Sequence, residues 1–193
     1  MIRKVYSVSL VLVLAALVQA AEAPMVIDAQ RSRILVRAFK AGVFSGFAHD
    51  HEVRAPIASA EIVESAPGSV RLEIDAGALT VLDPQLSPDK RAEVQTTMHG
   101  PKVLDSGRFP RISFVATRVE PRGDGRWMVV GDLSLRGMAR PVAIEVERRD
   151  GGYSGTATFN QSEFGIKPIS LAGGTIKVKD GVKIEFEIFT KAR

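Results

Sequence analysis

The chain has 193 residues, no cysteine and a formal charge of +4. Those values exclude a disulfide-stapled fold and thiol chemistry, and they suit one ordinary domain with its own core. So small a positive excess, with no basic cluster interleaved with aromatics, leaves no footprint for nucleic-acid binding.

In chain order, the first element is MIRKVYSVSLVLVLAALVQA, residues 1–20. Arg3 and Lys4 precede an apolar run from Ser9 to Val18, and small residues follow. This is the layout of a secretory signal peptide, with cleavage expected after Ala20 or as late as Ala23. The run is shorter than the roughly 20 residues a membrane span needs, so no stable membrane insertion is expected after cleavage. An uncleaved anchor is the alternative. A lipoprotein anchor is excluded because no cysteine lies near residue 20. The mature domain is expected over 24–193, and the missing cysteines fit a bacterial periplasm.

Beyond the signal the dominant period is two. RILVRAF (33–39) sets Ile34, Val36 and Ala38 against Leu35, Arg37 and Phe39. FAHDHEV (47–53) follows and places His49 and His51 on one face if it is extended. VRLEIDA (70–76) sets Val70, Leu72 and Ile74 against Arg71, Glu73 and Asp75. Residues 87–101 break the pattern. Ser87 can cap a helix, Pro88 suits its first turn, and Gly100-Pro101 ends it. Val94 and Met98 form its apolar stripe, and His99 sits at its C-terminal end.

Alternation resumes over 111–120, 127–135, 142–147, 153–159 and 182–188. The separators Pro121–Gly125, Arg149–Gly152 and Lys179-Asp180-Gly181 read as hairpin turns, because glycine accepts the positive φ of primed turns. The expected fold class is all-β: an antiparallel meander with one short helix around 88–99. A meander this long closes, or else leaves exposed edges.

Three stretches then resemble a known family: Phe109–Phe114, Gly131–Val142 and Ser162–Ile166, with Ile27-Asp28…Ser32 leading into the first strand. In that order and spacing they are similar to the YceI-like, polyisoprenoid-binding proteins, over roughly residues 25–190. The resemblance implies an extended, lipocalin-like antiparallel barrel of about eight strands. It implies a periplasmic carrier or store for a polyisoprenoid or other long-chain amphiphile, quinone-like heads included. It implies neither catalysis nor a cofactor, and a homodimer is left open.

On that reading the lining residues are Phe44, Phe47, Phe114, Leu133, Ile144, Phe159, Phe164 and Phe186. Gly131, Gly155, Ala38 and Ala157 thin the wall. A solid core packed by the same phenylalanines is the alternative. His49, His51 and His99 are assigned to the polar end, as mouth-lining hydrogen-bonding groups or contacts to a head group. The rival is a metal-binding or redox-accessory module in which these three imidazoles ligate zinc or copper. A serine hydrolase is disfavoured, since no Gly-x-Ser-x-Gly elbow occurs and Asp50 points away from its histidine neighbours on a strand.

Overall fold

The computed structural model describes residues 23–41, 50–64, 68–171 and 176–191. The expected signal peptide, Phe44, Phe47 and His49 lie outside them. Twelve strands and one helix follow in chain order. They are β1 (Met25–Val26), β2 (Arg33–Ala41), β3 (His51–Arg54), β4 (Ile57–Val63), β5 (Ser69–Asp75), β6 (Thr80–Val81), α1 (Pro88–His99), β7 (Arg111–Gly123), β8 (Arg126–Leu135), β9 (Met138–Arg149), β10 (Gly152–Asn160), β11 (Ser170–Leu171) and β12 (Ile176–Phe189). All the pairings are antiparallel. The sheet runs β1-β4-β5-β7-β8-β9-β10-β12-β2-β3-β6, with β11 beside β12.

The sheet curls far enough for β1, at one edge, to meet the C-terminal end of β12. Ile27 bridges Thr190, Asp28 N–H donates to Phe189 O at 2.8 Å, and Lys191 N–H donates to Val26 O at 2.8 Å. Ser32 Oγ accepts from Phe189 N–H at 2.8 Å and holds the turn between β1 and β2 against the same strand. Edge groups that would otherwise face water are paired along this seam. About eight strands were expected. The larger number arises because three long strands are interrupted: β1/β2 by a turn, β3/β4 at Ala55-Pro56, and β5/β6 by a 3-10 turn at Ala76–Ala78.

Two expected turns have the anticipated chemistry. Asp124-Gly125 and Asp150-Gly151 both have positive φ and join β7 to β8 and β9 to β10. Lys179-Asp180-Gly181 does not turn. β12 runs straight through it, with a register shift between Val178 and Val182. Asp180 instead accepts from Ser162 N–H at 2.8 Å and Ser162 O–H at 2.5 Å, so its carboxylate ties strand to loop.

Helix α1 spans the residues expected of it. Ser87 Oγ accepts from Lys90 N–H at 3.4 Å, and Gly100 N–H returns to Thr96 O and Thr97 O. Val94 and Met98 are half-buried against the core. Gln95 fastens the helix to the barrel, accepting from Val81 N–H and donating to Leu79 O, both at 2.7 Å.

Candidate ligand-binding site

The inward rows follow from register. Leu72, Phe114 and Leu133 are paired neighbours on β5, β7 and β8. Val129, Ile144, Ala157, Ile184, Val36, Val53 and Val81 form a continuous rung across seven strands. A strand exposes alternate residues to each face, so these rows bound an interior. The phase would slip along β7, but a bulge between Ala116 and Arg118 corrects it and brings Val119 inward.

The interior is not solid. It holds a cavity of about 230 Å³ walled almost wholly by aliphatic and aromatic side chains. Of the expected lining residues, Phe114, Leu133, Ile144, Phe159 and Phe186 are on its wall. Phe164 is not. It is 0% exposed beneath the end of the barrel, packed edge-on against Phe159 at 5.2 Å.

Gly131 and Gly155 do not simply thin the wall. A Cβ at Gly131 would lie 2.6 Å from Phe114 Cζ, and one at Gly155 would lie 2.6 Å from Phe186 Cζ. The missing side chains are therefore the beds on which two phenyl rings lie. Each bed spends part of the room that the sequence alone suggested would be open.

One end of the cavity is capped. Phe164, Ile166, Leu104, Leu79 and Leu135 are all buried there. Arg136, at the β8–β9 hairpin, donates to Gly165 O at 2.6 Å and Pro101 O at 2.7 Å. It thereby pins the loop after α1 to the 3-10 turn Gln161–Phe164.

His51 belongs to this capped end. It lies two residues before Val53 on the same face of β3, opposite Ala38, and Asp83 lies two residues after Val81, the partner of Val53. Asp83 is 0% exposed; its two oxygens meet His51 Nδ1 at 2.6 Å and Glu52 N–H at 2.8 Å. His51 lines a second, more polar pocket with Arg37, Phe39, Asp50 and Gln85, not the apolar cavity. His99 is not on the cavity wall either. Its Nδ1 meets Ser106 Oγ at 3.1 Å, while its Nε2 meets Gln95 Nε2 at 2.5 Å and Leu79 O at 3.1 Å. With both nitrogens engaged, it buttresses the wall residue Leu79. Among the described residues no group of three or more His, Cys, Asp or Glu is arranged to hold a metal.

The other end carries polar residues that sequence reasoning missed. The inward row of β9 runs Val142, Ile144, Val146 and finishes on Arg148, paired with Tyr153 of β10. The row of β4 runs Ala60, Ile62 and finishes on Glu64. One Glu64 oxygen accepts from both Arg148 Nη2 and Tyr153 O–H, the latter at 2.5 Å. The guanidinium lies 5.7 Å from the ring centres of both Trp127 and Tyr153, within cation–π reach. These two rings meet edge-on at 6.0 Å.

Partial burial pushes the Glu64 carboxyl up, but hydrogen bonds from Arg148 and Tyr153 outweigh it and hold it below its ordinary value. Burial, together with Glu64, pushes the Tyr153 phenol up to about 12. The cluster opens to solvent, with the side chains of Glu64 and Arg148 31% and 50% exposed. The available signal was the continuation of each inward row by one further charged or phenolic residue.

A family profile described as the YceI-like domain matches residues 25–189. The chain belongs to the YceI-like family. A UPF0312 protein of Shewanella sp. (strain W3-18-1) is 35% identical over 86 residues, 39% of this chain and 45% of that one. One from Shewanella denitrificans is 34% identical over 104 residues, 49% and 54% of the two chains. The matched part thus spans about half the length of these relatives.

Among solved structures, BcnA of Burkholderia cenocepacia superposes with a TM-score of 0.64 at 18% identity, covering 84% of this chain and 98% of that one. A polyisoprenoid-binding domain from Saccharophagus degradans superposes at 0.57 and 13% identity, covering 89% and 100%. At such identities the likeness establishes the antiparallel barrel fold. No helix among the described residues is long and apolar enough to cross a membrane.

Proposed function

We propose that this protein binds the apolar chain of a polyisoprenoid or similar amphiphile inside its barrel, as an exported, non-catalytic carrier or store. The observation that carries this reading is the interior cavity, whose wall is aliphatic and aromatic over nearly its whole surface. A void lined this way stays dry and is filled most favourably by hydrocarbon. The polyisoprenoid-binding domain of Saccharophagus degradans, a protein of the same fold, supports the choice of ligand class.

Volume sets a scale for the ligand. A dry cavity of about 150 Å³ takes one benzene, six carbons. In proportion, about 230 Å³ takes roughly nine or ten carbons, two isoprene units. Burying nine carbons grosses about 7 kcal/mol at ~0.8 each. Association takes back at least about 4 kcal/mol. The remainder is weaker than a millimolar grip, which needs about 4 kcal/mol net. A firmly held long chain therefore needs more room than the empty barrel shows. The rings of Phe114, Phe159 and Phe186, which project into the space, are the parts that move aside to provide it.

The test pairs a lipid census with a plug. Protein purified from the cells that make it is expected to carry a prenyl or other long-chain lipid in native mass spectrometry. Prenyl alcohols of 10, 15 and 20 carbons are expected to bind with rising affinity. Ala157→Phe fills the middle rung and is expected to abolish their binding while leaving the thermal midpoint unchanged or higher. Full binding by the plugged variant would place the ligand elsewhere and end the reading.

A further inference from the structure

Resting on that chain-binding reading, we propose that the open end of the barrel selects amphiphiles with a carboxylate head, and that Glu64 occupies the head-group position until such a ligand displaces it. Three observations converge. First, the inward rows of β9 and β10 end in a cation and a hydroxyl donor, Arg148 and Tyr153, at the rim of an otherwise apolar cavity. A tail lying along those rows brings its head to this pair.

Second, both donors already serve a carboxylate. A single Glu64 oxygen takes the Arg148 guanidinium and the Tyr153 hydroxyl together. That arrangement is the geometry a bound acid would need, made by the protein's own side chain. Charge-assisted bonds to carboxylate are the strong ones, and a planar guanidinium is suited to carboxylate in particular.

Third, the cation is held in place by something other than its anion. Arg148 lies over Trp127 and Tyr153, both on the cavity wall, so it remains at the rim if Glu64 leaves. Glu64 can leave, since its side chain is 31% exposed. Exchange of one carboxylate for another conserves both hydrogen bonds. The ligand's net gain is then its buried tail, less the cost of evicting Glu64. A neutral alcohol makes no claim on Arg148 and leaves the internal pair intact. Glu64 therefore acts as a built-in competitor, which sets a threshold that only an acid with enough buried chain can cross.

Geranylgeranoic acid and geranylgeraniol test this, since they share one 20-carbon prenyl tail and differ only at the head. Binding is read by the fluorescence of Trp127, the single tryptophan, and by calorimetry. Three proteins are compared: the parent, Arg148→Gln and Glu64→Gln. The expected result is a loss of at least tenfold in affinity for the acid in Arg148→Gln, a several-fold gain in Glu64→Gln, and affinity for the alcohol within twofold across all three. Acid and alcohol binding alike, with neither responding to Arg148→Gln, overturns the head-group assignment and leaves the chain-binding reading standing. Failure of both ligands and of the shorter prenyl alcohols to bind the parent protein removes both readings together.

Discussion

At the capped end of the barrel the interior finishes in Phe164, Leu104 and Ile166, and its polar groups are consumed inside the protein. Asp83 is divided between His51 and the Glu52 amide, and His99 between Ser106, Gln95 and Leu79. At the opposite end the same inward rows finish in Glu64, Arg148 and Tyr153, whose partners are one another and whose charges are half in water. Both ends are hydrogen-bonded networks, yet they differ in what can replace a partner. A buried Asp83 has no substitute for its two donors, so disturbing it leaves them unsatisfied. An exposed Glu64 can be replaced by water or by a ligand oxygen. A network is structural when it is shut in and available for binding when it is not.

The sharpest way to break this contrast is to empty the capped end. Phe164→Ala is expected to cost about 3–5 kcal/mol, the usual range for a fully buried Phe, and denaturant unfolding measures it. A loss below about 1 kcal/mol would mean that the cap is not part of the cooperative core. Asp83→Ala comes next, at about 1–3 kcal/mol for two stranded partners, whereas Glu64→Ala at the open end is expected within about 0.5 kcal/mol. Equal costs for the two carboxylates would erase the distinction. Arg136→Ala, which frees the loop after α1 from the 3-10 turn, should cost about 1–2 kcal/mol. Its effect should appear as faster amide exchange around 101–106 and 161–165, with the open end unaffected.

The smallest effect is one of pH. The chain has two tyrosines, and protein lacking residues 1–20 retains only Tyr153. Its phenolate absorbance should titrate near 12 rather than the ordinary 10. The sign follows from linkage. A phenol raised on folding contributes stability that is fully present below pH 10 and is lost as pH climbs from 10 toward 12. Glu64 acts in the opposite direction. Its carboxyl is lowered on folding, so its contribution is present above its ordinary value and fades in acid. Tyr153→Phe should remove the alkaline component and weaken the acid one, since Glu64 then keeps only Arg148 to hold its carboxyl low.

Much of this architecture was legible in the alternation of Val142, Ile144 and Val146, or of Ile184, Phe186 and Ile188, because burial on one side leaves a period of two. The helix was legible from Ser87, Pro88 and Gly100. Five of the proposed wall residues lie on the wall for the same reason. The errors have equally physical causes. Asp180-Gly181 has the composition of a hairpin but serves a bulge inside β12, where Asp180 binds Ser162; composition does not distinguish a turn from a bulge. In sequence Gly131 and Gly155 resemble empty space, but each supports a ring contributed from another strand, and only register reveals which. Histidine composition points to a polar end at residues 49, 51 and 99, but His51 Nδ1 and both nitrogens of His99 are engaged by internal partners. The open end's cluster joins residues 64, 148 and 153 across the curl, and no local pattern displays that pairing.

The seam between residues 25–28 and 189–191 carries a consequence for how the molecule is made. Its two halves are almost as far apart in the chain as the domain allows, so the loop that must close is nearly the whole polypeptide. During synthesis, which delivers the amino-terminal side first, the early strands wait without their neighbour until residue 191 has emerged. For that interval the greasy inner face is a trough rather than a tube. A hydrophobic guest laid in the trough before the last strand zips up would be enclosed by the act of folding, with no gate to pass.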